Sequence, residues 1–93
     1  MELNRKIVLS DDVISQEVSG ETVLLDLASE NYFGLDEVGT RIWQLIQENG
    51  DLEFIVKTLL DEYDVAEDTL KSDVDKLLTE ISDLGLIKIE AAR

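Results

Sequence analysis

The stretch Tyr32-Phe33-Gly34-Leu35-Asp36-Glu37-Val38-Gly39-Thr40-Arg41-Ile42-Trp43 carries the change of grammar that decides the fold. Up to Leu35 it reads as the last of several short β-prone runs. From Asp36 onward, Val38, Ile42, Trp43, Leu45 and Ile46 recur at helical spacing. Asp36 offers a side-chain acceptor for the free N–H groups of a first helical turn, the role of an N-cap. Asn49-Gly50 then stops the helix.

Working back from that stretch, the runs at residues 13–18 and 22–27 are also β-prone, punctuated by Ser19-Gly20-Glu21 and by Ala28-Ser29-Glu30-Asn31. Short runs separated by a few turn residues predict consecutive hairpins, hence a three-stranded antiparallel meander with its first turn at Ser19-Gly20. In the second run Val23, Leu25 and Leu27 alternate with Leu24 and Asp26, which predicts one buried face and one partly wet. Working forward, Asp51 caps a helix carrying Leu52, Ile55, Val56, Leu59 and Leu60 and ending near Tyr63. A third, long helix opens at Asp64 or Glu67. Leu70, Val74, Leu77, Ile81 and Leu84 make its apolar seam, with Leu78 on the flank. Gly85 ends it, and Leu86-Ile87-Lys88-Ile89 reads as a short terminal strand. The expected fold class is α+β, winged-helix-like: a three-stranded antiparallel N-terminal sheet followed by three helices and a short C-terminal strand. With no proline and no linker, residues 1–93 read as a single domain, frayed at about residues 1–6 and 90–93.

Composition limits the chemistry. Eight basic and 22 acidic residues leave a formal net charge of −14. Phosphate backbones and anionic membranes would be repelled, so neither nucleic acid nor a membrane is an expected partner. The long helix stands where a winged-helix DNA reader keeps its recognition helix. Its outward positions are Glu67, Asp68, Lys71, Ser72, Asp73, Asp75, Lys76, Thr79, Glu80 and Asp83, two lysines against six carboxylates. The chain has no Cys and no His, which removes thiolate chemistry, disulfides, the commonest general base and the commonest transition-metal ligand. Residues 1–10 hold Arg5 and Lys6 without an apolar core segment, so a secretory signal is not expected and a cytoplasmic location is.

The remaining constellations favour structural explanations. Asp73-Val74-Asp75 and Asp61-Glu62-Tyr63-Asp64 lack the glycine and register of a calcium loop, and residues i and i+2 of a helix do not share a face. No metal and no cofactor is expected. Around Asp36-Glu37-Val38 the serine that carrier proteins use for phosphopantetheine attachment is missing. Asp36 with Thr40 or Arg41 is better explained as a cap and a surface ion pair than as a catalytic group. No enzyme is expected. One feature stays unexplained by packing alone. The third strand of a meander is an edge, and an aromatic edge is a docking place for an extended peptide by strand addition.

The opening stretch resembles the signature of the PqqD-like family: two aromatics, then Leu and a capping residue, then Gly and a helix containing Ile-Trp. Leu25-Asp26-Leu27, Ile55-Val56-Lys57-Thr58-Leu59 and Asp83-Leu84-Gly85-Leu86-Ile87 fit as well, so the resemblance runs over about residues 13–89. It departs at Asp36, where Asn is frequent and serves the same capping purpose, and at Gly34, where a bulkier polar residue is often found. The resemblance implies a stand-alone RiPP recognition element, a peptide chaperone that binds the leader of a ribosomally made precursor and presents it to modifying enzymes. The leader would pair antiparallel to the third strand through Asn31, Tyr32, Phe33, Gly34 and Leu35. It would lie against the third helix, with Leu70, Val74, Leu77 and Leu78 as an apolar floor and Asp73 and Lys76 at the rim. PQQ synthesis would supply a radical SAM enzyme as partner, and a lasso-peptide cluster a leader peptidase and a cyclase. The alternative is an acidic winged-helix dimerisation or regulatory module that uses the same edge to form a homodimer.

Overall fold

The computed structural model describes residues 2–91. Strand β1 spans Arg5–Leu9, β2 Val13–Val18, β3 Glu21–Asp26 and β4 Tyr32–Leu35. Helices α1 (Glu37–Glu48), α2 (Leu52–Glu62) and α3 (Glu67–Asp83) follow, and β5 (Ile87–Ala91) closes the order. The α+β class and the antiparallel meander β2-β3-β4 agree with the sequence reading. Ser19 (φ 55°) and Gly20 (φ 83°) form a two-residue turn with both φ positive, whose twist matches that of the flanking strands. It closes a register running from Val18↔Glu21 to Val13↔Asp26.

The next turn is held by a buried carboxylate. Asp26 accepts hydrogen bonds from the Ala28 N–H (3.1 Å) and the Ser29 hydroxyl (2.8 Å). That satisfaction is what lets an Asp sit at 8% exposure on the inner face. The inner face of β3 is therefore Thr22, Leu24 and Asp26, all buried. Val23 and Leu27 stay half exposed. Cross-strand partners share a face, so Ile14, Leu25 and Tyr32 form one row across the outer side of the sheet.

One strand was missing from the sequence reading. Arg5–Leu9 pairs antiparallel with β5 from Arg5↔Ala91 to Leu9↔Ile87. Of the ends expected to fray, residues 1–6 and 90–93, Arg5, Lys6, Glu90 and Ala91 sit in this ladder, and residues 1, 92 and 93 lie outside the described ones. The β1–β5 pair is tied to the helices at Gly50, whose carbonyl accepts the Ile7 N–H at 2.7 Å. Gly50 has φ +82°, and a Cβ there would meet the Ile7 carbonyl oxygen at 2.7 Å, so only glycine fits.

The helices start as the sequence implies, with one exception. The Asp36 carboxylate accepts from the Gly39 N–H and that of Asp51 from the Glu53 N–H. Helix α3 instead begins after Ala66, with no side-chain cap. Asp64 therefore lies outside it. One apolar cluster joins the layers. Ile42, Trp43, Leu45 and Ile46 of α1 meet Leu24, Leu35, Leu52, Ile55, Val56 and Leu59, with Leu70, Val74, Leu78 and Ile81 of α3 and Leu86 and Ile87 at its end.

Candidate functional site: an open strand edge beside a groove

Strand β4 is an edge of its sheet. The Asp26 N–H donates to the Asn31 carbonyl at 2.9 Å. Antiparallel ladders alternate, so Leu24↔Phe33 and Thr22↔Leu35 are the next hydrogen-bonded pairs, and Leu25↔Tyr32 and Val23↔Gly34 are not. The backbone N–H and C=O groups of Tyr32 and Gly34 therefore point away from β3, toward the open edge. The side chains of Phe33 and Leu35 turn inward. That of Tyr32 lies on the outer face and is 75% exposed.

A groove of about 410 Å³ runs along this edge, lined by Phe33, Gly34, Leu35, Asp36, Val38, Gly39, Ile42, Asp73 and Leu77. The turn from strand to helix shapes one wall. Gly39 is buried, and a Cβ at this position would approach Leu35 at 3.2 Å and the Asp36 carboxylate at 3.3 Å. Its small size allows the first turn of α1 to close against β4. Helix α3 supplies the other wall, with Leu77 half-buried and Asp73 exposed.

The structure brings together five of the expected site residues: Phe33, Gly34, Leu35, Asp73 and Leu77. Tyr32 belongs to β4 and Asn31 directly precedes it, but neither is among the groove's lining residues. Lys76 is exposed on α3 and also outside the lining. Of the expected floor, Leu77 lines the groove, while Leu70, Val74 and Leu78 belong to the core and are not among its lining residues. Their phase on the helix is the reason. Positions 70, 74, 78 and 81 form the buried stripe, and 73 and 77 lie one flank away, so Leu77 and Leu78 exchange the places assigned to them. Four lining residues were not singled out: Asp36, Val38, Gly39 and Ile42. Their signal lay in the opening stretch itself, since a strand that turns straight into a helix puts the first helical turn beside the strand edge.

Away from the groove, Arg41 holds Glu62 through two hydrogen bonds, Nε at 2.8 Å and Nη2 at 2.6 Å, and reaches Gln44 at 3.3 Å. Gln44 in turn donates to Glu17. The Arg41 hydrogen bond holds the Glu62 carboxyl below its ordinary range, and the same bond raises Arg41. Lys71 is raised by its hydrogen bond to Glu67. Each of these groups has a local structural partner, which agrees with the reading of Arg41 as an ion-pair residue. Among the described residues no group of three or more acidic side chains is arranged to hold a metal ion, and no helix is long and apolar enough to cross a membrane.

The fold and the site define a small α+β domain of winged-helix type with an unpaired strand edge over a groove. The family model described as Coenzyme PQQ synthesis protein D (PqqD) matches residues 21–87. The chain belongs to the PqqD family. Among solved structures it is similar to one described as TbiB1 in complex with the TbiA(beta) leader peptide, with a TM-score of 0.83 and 38% sequence identity. That match covers 87% of this chain and 94% of the other. No curated protein sequence matches it.

Proposed function

We propose that this protein is a RiPP recognition element that binds the leader segment of a ribosomally synthesised precursor peptide. The observation that carries the reading is the open edge at Tyr32 and Gly34 beside a groove lined by Phe33, Leu35, Ile42 and Leu77. Family membership and the similarity to TbiB1, whose structure holds a leader peptide, support it. The leader adds to β4 as an antiparallel strand. Main-chain hydrogen bonds to Tyr32 and Gly34 supply part of the affinity. Apolar leader side chains facing the groove supply the rest, each worth about 1.5–3 kcal/mol when fully buried.

In this reading the protein catalyses nothing. It works in the cytoplasm by raising the effective concentration of the precursor near a modifying enzyme. That enzyme is a leader peptidase with a cyclase in a lasso-peptide setting, or a radical SAM enzyme in a PQQ setting. The test is a titration of ¹⁵N-labelled protein with the leader of the precursor encoded beside its gene. Saturable shifts at Tyr32, Gly34, Gly39 and Leu77 are expected. A cognate leader that leaves these amides unmoved would sink the proposal and favour the dimerisation module, which sedimentation would then show as a homodimer.

A further inference from the structure

The floor of the groove is apolar, but each wall carries a carboxylate: Asp36 at the start of α1 and Asp73 on α3. No Lys or Arg lines it. Among the described residues the ion pairs are Arg5–Glu2, Arg41–Glu62 and Lys71–Glu67, so Asp73 belongs to none of them. The N-terminus of α1 is the positive end of a helix dipole and would by itself attract an anion. Asp36 already occupies that end, its Oδ1 accepting the Gly39 N–H at 2.8 Å. The net charge of −14 further disfavours an anionic occupant.

The register of an added strand turns this charge into a position. In an antiparallel partner, the residue opposite Phe33 projects its side chain to the groove side, as Phe33 does. Same-face side chains recur every second residue, about 7 Å apart. The residue opposite Leu35 lies two positions earlier in the peptide and emerges beside Asp36, in the groove that Asp73 lines from the other wall. We propose that the groove selects leaders bearing Lys or Arg two residues N-terminal to an apolar anchor, with Asp73 as the specificity-determining residue. This inference rests on the leader-binding reading. It adds a charged position to what would otherwise be recognition by backbone and apolar contacts.

The experiment is a selection from a displayed peptide library of about twelve randomised residues, long enough for one strand of ordinary length with flanks. The bait is the full chain as wild type, Asp73→Lys and Asp75→Lys. Asp75 is exposed on α3 outside the groove lining, so its reversal changes net charge equally without touching the site. Wild type and Asp75→Lys are expected to enrich Lys or Arg two residues before the anchor. Replacing that residue by Glu in one selected peptide should weaken binding about tenfold, as an attractive rim pair becomes a repulsive one. Asp73→Lys should reverse the preference toward Glu, and Asp73→Asn should flatten it, with helix content unchanged by circular dichroism. An unchanged preference in Asp73→Lys, or equal loss in both lysine variants, overturns the proposal. Selected peptides that shift the Tyr32, Gly34 and Leu77 amides but show no charge preference remove this inference alone. Selected peptides that leave those amides unmoved overturn the leader-binding reading with it.

Discussion

Leu77 and Leu78 are adjacent, chemically identical and assigned to opposite tasks by the structure, so truncating each tests the placement of α3 directly. Leu78 is 2% exposed in the core, where Leu→Ala removes buried methyl groups and leaves a cavity. Such changes cost about 3 kcal/mol or more. Unfolding entropy is roughly 2.1 cal/mol/K per residue, or about 0.2 kcal/mol/K for a chain of this size, so Leu78→Ala should lower Tm by about 15 °C. Leu77 is half-buried on the groove wall, and its truncation should cost about 1 kcal/mol of stability, near 5 °C. The effects on leader affinity should run the other way. Leu77→Ala removes part of the apolar lining and should weaken binding about tenfold, while Leu78→Ala, measured well below its Tm, should bind within about threefold of wild type. Trp43 is the only tryptophan and is 3% exposed, so its emission reports unfolding from within the core. Equal Tm losses, or an affinity loss confined to Leu78→Ala, would refute the placement of α3 and with it the groove.

Three further outcomes follow from particular contacts. Gly34→Pro removes an N–H that points to the open edge and not to β3, so leader binding should fall at least tenfold; Gly34→Ala, with nothing within 4 Å of the new Cβ, should bind as wild type, and parity of the two variants in calorimetry would argue against strand addition. Gly50→Ala forces a side chain into left-handed backbone against the Ile7 carbonyl, so a loss of about 2 kcal/mol or more is expected in urea unfolding, and a change within about 0.5 kcal/mol would show that the β1 tie does not depend on it. Arg41 holds the Glu62 carboxyl below its ordinary range, so the pair stabilises the fold above the unfolded carboxylate pKa and loses that contribution as pH falls through the lowered folded value. The stability gap between wild type and Arg41→Ala should therefore narrow on acidification, and a gap that widens would contradict the pairing.

Local signals in the sequence were sufficient for most of the fold. Ser19-Gly20, Asp36, Asp51 and Gly85 each act within a few residues, and each marks a turn, a cap or a helix end in the structure. What stayed hidden depends on distant partners or on a choice between faces. Strand β1 begins with two cations, buries only Ile7 and pairs with a strand at the far end of the chain, so no local pattern announces it. The sheet buries Thr22, Leu24 and Asp26 rather than the more apolar set of Val23, Leu25 and Leu27, because the turn after β3 satisfies the Asp26 carboxylate. On α3, a helix with leucines at both 77 and 78 can rotate either one inward without changing its apolar content, and only contact with α2 and β5 decides. The site was legible as a strand edge and as one helix, but not as the flank of that helix or as the first turn of α1.

The meander has two open edges, β2 and β4, and the structure gives a physical reason why a peptide would choose the second. Main-chain hydrogen bonds to an added strand are worth about 1 kcal/mol each net and are available on either edge, so they do not discriminate. Side chains do. On the β2 side, the space against α1 is lined by Glu17, Gly20, Glu37, Thr40, Arg41, Gln44 and Tyr63. There Arg41 is committed to Glu62 and Gln44 to Glu17. A strand arriving there would displace satisfied polar groups and bury little apolar surface. On the β4 side the same main-chain bonds come with Phe33, Leu35, Val38, Ile42 and Leu77, which can take one or two apolar side chains. At about 1.5–3 kcal/mol for each side chain buried, the preference for β4 amounts to at least tenfold in affinity and more than a hundredfold with two anchors. Specificity for one edge thus comes from the side chains that β4, α1 and α3 bring together beside it and not from the main-chain bonds. A variant that fills the groove from an exposed lining position, such as Val38→Trp, should bring the β4 edge down to the weak level of β2, with peptide-induced shifts no longer favouring Tyr32 and Gly34 over Val13–Val18.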